Sequence, residues 1–341
     1  APARTSWSAV REAGEGAGRA PAAGAPLGWA RSFHGPRPGV GVRDPGSGRA
    51  GHVAHTPRVA DLRVDAERVL GAGGRRRDRG GRSEVAAVRT RPAAAGAGAA
   101  PAATEGAAES VIGSDGRVWL RDRTTVYPNA AIGRLDFRQS GGSYWCTGTL
   151  IDADTVLTAG HCVHDGLTGA DGWSTSVRFT PGAEGNRAPF GSCRSRELLT
   201  IPGWYEEGRE YQDLGLVQLD CSVGETVGWY GYRAAEGPRG LAGVRVNVRG
   251  YPGDKVWSSL WTMADRVRVS QREMAFYAAD TYGGQSGSPV FNFKACNGAV
   301  GPCIVAVHAY GAHPGGAHAN LNHGPRLTTE RTALITALAA G

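Results

Sequence analysis

The chain has 341 residues and a formal charge of +7, and the charge is unevenly placed: residues 1–109 hold 17 arginines against 10 acidic residues, whereas 110–341 hold 21 basic and 21 acidic. The high isoelectric point therefore belongs to the N-terminal third, and a nucleic-acid partner is not expected for the rest. No stretch reaches the ~18 apolar residues of a membrane-spanning helix, so no membrane partner is expected either.

Residues 1–109 are rich in Ala, Gly, Pro and Arg, contain no lysine, and show little apolar periodicity. Such a composition cannot bury enough apolar surface to offset chain entropy, so it predicts a low-complexity basic pro-segment or leader, largely disordered. The run Arg75-Arg76-Arg77 with Arg79 and Arg82 reads as a solvated charge run rather than a processing site or a nucleic-acid tail.

From Ser110 onward short alternating segments appear between turn residues. Arg117–Leu120, Ser176–Phe179, Val244–Val248 and Arg266–Val269 predict strands, with turns at Asp115-Gly116, Asp165-Gly166 and Asp171-Gly172. Glu330–Leu338 predicts a helix, with Leu334, Ile335 and Leu338 on one face and Thr328 or Thr329 as its cap. The expected fold class is all-β: two packed antiparallel β-barrels over 110–341, closed by a short C-terminal helix.

Three segments within that region carry chemistry. Thr158-Ala159-Gly160-His161-Cys162, Asp213-Leu214-Gly215-Leu216 and Gly283-Gly284-Gln285-Ser286-Gly287-Ser288-Pro289 follow one another in the chain. A serine hydroxyl is a poor nucleophile until an imidazole takes its proton, and the imidazole needs a carboxylate to fix its tautomer. His161, Asp213 and Ser286 are the expected catalytic residues, with Asp213 preferred over Asp220. The order His, Asp, Ser is that of chymotrypsin-type enzymes; subtilisins run Asp, His, Ser and α/β-hydrolases Ser, Asp/Glu, His. His161 and Asp213 on the first barrel and Ser286 on the second would place the site in the cleft between them. The amides of Gly284 and Ser286 are the expected oxyanion hole.

All six cysteines, Cys146, Cys162, Cys193, Cys221, Cys296 and Cys303, fall after residue 109, and none has metal-ligand C-x-x-C spacing. Three disulfides are expected, and with them an oxidising, extracellular compartment. Cys146–Cys162 would close the loop leading to His161 and Cys296–Cys303 would clip a hairpin. Of the 15 possible pairings, that leaves Cys193–Cys221.

Several longer runs carry a more specific likeness. Ser110–Asp115, Gly250–Lys255, Asp280–Phe291 and Gly301-Pro302-Cys303 with Ala306-Val307-His308 resemble bacterial glutamyl endopeptidases, secreted chymotrypsin-superfamily enzymes that cleave after glutamate. The likeness covers 110–341 and none of 1–109. It implies a zymogen cut between Glu109 and Ser110, and a secreted endopeptidase preferring Glu, then Asp, in protein or peptide substrates, acting as a monomer. It also implies that His308 and Thr281 line the specificity pocket, and that the run Ala309-Tyr310-Gly311, through Ala309 and Gly311, offers backbone groups to an extended substrate. Asp280, six residues before Ser286, leaves a preference for Arg or Lys open, since trypsin-type enzymes carry a carboxylate at that offset. An inactive binding module is a further alternative.

Gln285 departs from chymotrypsin, which has aspartate before the serine to pair with a freed N-terminus. His308, His313, His318 and His323 recur every five residues, a spacing that suits neither one strand face nor one helix face; with Pro314-Gly315-Gly316 among them the stretch predicts a solvated loop, in which only His308 is functional. No cofactor is expected to be required, and no Asp-rich loop indicates a structural calcium ion.

Overall fold

The computed structural model describes residues 87–91, 110–234, 240–296, 299–312 and 318–339, all within one unit, Arg77–Gly341. The remainder of 1–109, with the arginine run and Glu109, and His313 lie outside the described residues.

Fifteen strands supply most of the regular secondary structure of the described residues. They are β1 (Val88–Thr90), β2 (Val118–Trp119), β3 (Ile132–Gln139), β4 (Gly142–Leu150), β5 (Thr155–Thr158), β6 (Thr175–Pro181), β7 (Cys193–Thr200) and β8 (Gly215–Leu219), followed by β9 (Gly231–Tyr232), β10 (Arg245–Gly250), β11 (Trp261–Ser270), β12 (Met274–Tyr277), β13 (Pro289–Cys296), β14 (Ala299–Val307) and β15 (Asn322–Pro325). The expected strands are all among them, with boundaries shifted by a few residues.

In the first sheet β3 to β8 close on themselves in the order β6-β3-β4-β5-β8-β7, because β7 pairs with both β6 and β8. Closure removes the exposed edges that an open sheet would present. Leu135, Leu150, Val156, Phe179, Leu198 and Val217 fill the interior at 0% exposure, while Leu157 and Leu199, on the outer face of their strands, pack under the C-terminal helix. Each such side chain contributes about 1.5–3 kcal/mol by leaving water.

The second sheet runs β15-β12-β11-β10-β13-β14-β9, with β2 added beside β11. Bridges Ala306↔Arg326 and Tyr310↔His323 tie its two ends together. Val246, Val248, Val267, Tyr277, Val290 and Val305 form its core. The Tyr277 phenol inside that core reaches the site described below.

Strand β1 belongs to the expected leader. Val88, Arg89 and Thr90 pair antiparallel with Thr200, Leu199 and Leu198, on the side of β7 that β6 has left. Val and Thr suit a strand, and the open edge supplies the hydrogen bonds; composition averaged over 109 residues hides so short a segment.

The C-terminal helix α3 spans Thr329–Ala339 and buries Ile335 and Leu338, while the Arg331 amide donates to the Thr328 hydroxyl at 3.3 Å, making Thr328 the cap. Two further helices were not expected: α1 (Pro202–Glu207) and α2 (Gly224–Val227). Both are shorter than two turns, too short for a 3.6-residue period to register. Pro202 opens α1 and Gly208, at φ +60°, ends it.

Candidate active site

The site is built where three loops leave the two barrels. Strand β5 runs into a tight turn, Gly160–Cys162, which presents His161. A short turn, Glu210–Gln212, delivers Asp213 just before β8. A side chain at Gly160 would meet the Asp213 carboxylate at 2.8 Å and the Trp204 ring at 2.9 Å, so glycine there admits the carboxylate.

Asp213 is fully buried and grips His161 twice. Its Oδ1 accepts the His161 backbone amide at 2.7 Å, and its Oδ2 lies 2.7 Å from the ring Nδ1. A carboxylate only accepts, which assigns the proton to Nδ1 and leaves Nε2 as the basic atom. The ring stands between Trp204 and Tyr310, with centroids 6.2 Å and 6.1 Å away. Burial first, and the Asp213 charge second, hold the Tyr310 phenol far above its usual range. Asp220 is engaged elsewhere, accepting the Arg194 amide at 2.8 Å.

Ser286 sits in a loop that packs on the first barrel. The Ser286 carbonyl accepts the Thr147 amide at 2.8 Å, and the Gly284 carbonyl accepts the Thr147 hydroxyl at 2.9 Å. A side chain on Gly287, which has φ +83°, would collide with Thr147 and Thr158 and meet the Ala159 amide at 3.1 Å. The turn carrying Ser286 therefore lies against the segment that leads to His161.

The amides of Gly284 and Ser286 follow from the carbonyls before them. Gly283 O accepts Gly253 N–H at 2.7 Å, and Gln285 O accepts Ser288 N–H at 2.9 Å. In a trans peptide the N–H points opposite to the C=O, so both amides are aimed away from those partners. Gly284 has φ +98°, and a side chain there would collide with the Trp145 indole. Glycine meets both demands.

The end of β14 and the residue after it, His308, form one wall. Gly287 N–H donates to His308 O at 2.7 Å and His308 N–H to Ser288 O at 2.9 Å, placing His308 directly beside the Ser286 turn. His308 and Thr281 are both fully buried. The Tyr277 hydroxyl lies 2.8 Å from His308 Nδ1. When that hydroxyl donates, the imidazole carries its proton on Nε2 and becomes a donor there. Asp280 has both oxygens occupied: Oδ1 accepts Ile112 N–H and Oδ2 accepts Gly116 N–H, each at 2.7 Å.

Ala309 N–H donates to His323 O at 3.2 Å, so this amide faces the neighbouring strand rather than the cleft, and Gly311 follows two residues on. Ser110 lies at the same wall: its carbonyl accepts Thr281 N–H at 3.2 Å and Asn322 Nδ2 at 2.6 Å. His323 is on β15, buried, stacked on Phe276 and Tyr310, and His318 also packs on Phe276. This corrects the expectation of a solvated loop for His323, which is held by aromatic packing; His318 is in the turn before β15, partly buried against Phe276.

The cysteines pair as Cys146–Cys162, Cys193–Cys221 and Cys296–Cys303. Among the described residues, two groups of metal-ligating types lie close together: Cys146 with His161 and Cys162, and Cys193 with Asp220 and Cys221. In both, the sulfurs are already joined in disulfides, and it is the thiolate that binds metal.

Sequence reasoning missed Tyr277, Asn322 and Arg117, and saw Tyr310 only as backbone. Tyr277 carried the signal of an aromatic in a strand, which reads as core. The others reach the site across separations of 100 residues or more, for which no local pattern exists.

The trypsin family matches residues 122–320. The glutamyl endopeptidase of Bacillus licheniformis is 38% identical over 231 residues, covering 67% of this chain and 69% of that one. A Bacillus subtilis protein named extracellular metalloprotease is 34% identical over 226 residues, covering 65% and 67%. A solved structure of a Glu endopeptidase in complex with MPD is similar at a TM-score of 0.57 and 30% identity, covering 68% of this chain and 100% of that one.

Proposed function

Because the chain belongs to the trypsin family and is a trypsin-like serine endopeptidase, we propose that His161, Asp213 and Ser286 are its catalytic triad and that it cleaves after glutamate, and secondarily after aspartate. His161 Nε2 takes the Ser286 proton as Oγ attacks the scissile carbonyl. Asp213 holds the tautomer and stabilises the imidazolium. The Gly284 and Ser286 amides receive the oxyanion, where the loss of one donor costs about 2.7–4 kcal/mol. His161 then returns the proton to the leaving amine, and water hydrolyses the acyl-enzyme by the same route.

The specificity rests on one observation: His308 and Thr281 are wholly buried beside the Ser286 turn, and the Thr281 hydroxyl there has no hydrogen-bond partner among the described residues. A substrate carboxylate entering that wall receives donors from imidazole and hydroxyl; without them its burial costs several kcal/mol. The carbonyl of Ala309 and the backbone of Gly311 pair with the extended substrate. Asp280, with both oxygens on backbone amides, is poorly placed to bind Arg or Lys. Three disulfides support an extracellular enzyme.

Cleavage between Glu109 and Ser110 removes residues 1–109, and that bond is itself a substrate for glutamate specificity, which makes self-processing part of the proposal. The new amine would then lie beside Asn322 and Thr281, where the Ser110 amide now donates to Asn322 Oδ1 at 3.3 Å.

Digestion of a denatured protein mixture, with the cut sites mapped by mass spectrometry, tests the reading. Cuts after Glu support it; cuts after Arg and Lys reject the specificity and leave hydrolysis standing. Failure of an active-serine phosphonate to label Ser286 rejects the triad. Normal processing of a Ser286→Ala chain in isolation rejects self-processing.

A further inference from the structure

Gln285 stands where chymotrypsin carries the aspartate that pairs with a freed N-terminus. Here its partner is a guanidinium. The Arg117 side chain is fully enclosed, and its Nη1 donates to Gln285 Oε1 at 3.4 Å. The same Gln285 oxygen accepts Tyr282 N–H at 3.1 Å, while Gln285 N–H donates to Tyr282 O at 3.0 Å. The carboxamide and the backbone thus close the Tyr282–Gln285 turn from two sides.

The other Arg117 donors are held by two carboxylates. Nε and Nη2 donate to Asp115 at 2.9 Å and 2.8 Å, and Nη1 and Nη2 donate to Asp254, the former at 3.0 Å. Gly253, next to Asp254, donates its amide to Gly283 O at 2.7 Å. The segment Ser110–Arg117, the loop Gly250–Lys255 and the loop Tyr282–Ser286 therefore meet at one side chain. The guanidinium holds the Asp115 carboxyl well below the usual carboxylate range, so the charges persist in ordinary buffers.

We propose that Arg117 is a positioning residue: acting through Gln285, it fixes the turn whose peptide planes aim the Gly284 and Ser286 amides at the substrate carbonyl. The assignment rests on Ser286 being the nucleophile. The anchor is an internal residue, not a chain end, so the loop is set in the uncut chain as well, which is what a self-processing precursor requires.

Four variants of the full chain test it: Gln285→Leu, Gln285→Glu, Arg117→Met and the double variant Arg117→Met/Gln285→Leu. The readouts are kcat, KM and inhibition by a peptide aldehyde bearing the sequence that wild type cleaves. Gln285→Leu is expected to lower kcat about 10- to 100-fold with KM within about 2-fold, and to weaken the aldehyde by the same factor as kcat/KM. Arg117→Met gives the same pattern, and the double variant loses no more than the worse single one. Gln285→Glu, which restores an acceptor to Arg117, recovers most of the rate. Multiplying losses, an effect confined to KM, or unchanged aldehyde binding each overturn the proposal. If Arg117→Met does not fold, the Gln285→Leu and Gln285→Glu pair decides alone. A wild-type chain that neither turns over nor is labelled at Ser286 rejects the nucleophile assignment instead, a distinct outcome.

Discussion

Asp280 holds Ile112: its Oδ1 accepts the Ile112 amide at 2.7 Å, while its Oδ2 accepts that of Gly116 at the same distance. A carboxylate that looks from the sequence like a pocket floor for a basic side chain thus anchors the start of the catalytic region. Asp280→Asn puts an amide group against one of those N–H donors. The expected loss is about 1.5–3 kcal/mol in denaturant unfolding, with the preferred cleavage residue unchanged. A variant that lost basic-residue cleavage would show Asp280 to be a specificity group after all.

His308 carries the opposite expectation. His308→Ala removes the donor to a substrate carboxylate, so kcat/KM on glutamyl peptides falls at least about 100-fold, while phosphonate labelling of Ser286 continues. Tyr277→Phe, which removes only the hydroxyl on His308 Nδ1, costs less, about 1 kcal/mol in kcat/KM. Equal losses with poor and good acidic substrates in both variants would argue for a purely structural histidine.

For the triad, Asp213→Asn keeps the shape but offers a donor where His161 Nδ1 needs an acceptor. The expected drop in kcat is about 10⁴-fold, read by stopped assays on purified protein with an unchanged thermal midpoint. Retention of more than a tenth of the rate would move the orienting role to another carboxylate.

The disulfides separate stability from catalysis. Cys193–Cys221 closes a span of 28 residues, and replacing both with serine costs about 3–4 kcal/mol in the chain-entropy model with kcat nearly unchanged. Cys146–Cys162 spans 16 residues and adjoins His161, so the matching serine pair loses about 3 kcal/mol and lowers kcat as well.

Asp115 makes stability pH-dependent. Its folded pKa is depressed, chiefly by Arg117, so the unfolded chain binds this proton more readily. The contribution is complete above the unfolded value of about 3.9 and is lost as pH falls below it. The denaturant midpoint should decline below about pH 4, and Asp115→Asn should flatten that decline while lowering stability near neutrality.

Much of the architecture could be read locally. Alternation in Arg266–Val269 marks a strand because side chains in a sheet repeat every second residue, and β11 contains it. The Thr158–Cys162 and Gly283–Pro289 runs announce themselves because unusual backbone turns demand glycine at specific places. Even so, the same reading passed over α1 and β1. The first is too short to have a period, and the second forms a strand only because β7 offers an edge.

Local pattern, then, was enough for the all-β class, the three motif segments and the count of disulfides, since each is written in neighbouring residues. Side-chain direction across long separations was not. Asp280 turns to Ile112 from 168 positions away, Arg117 reaches Gln285 across the same span, and Tyr277 meets His308 over 31. Those contacts exist because the second sheet folds back on itself and encloses polar groups, with Ser110–Arg117 laid against it; each group must find a partner there, and no periodicity in the chain records which one it finds.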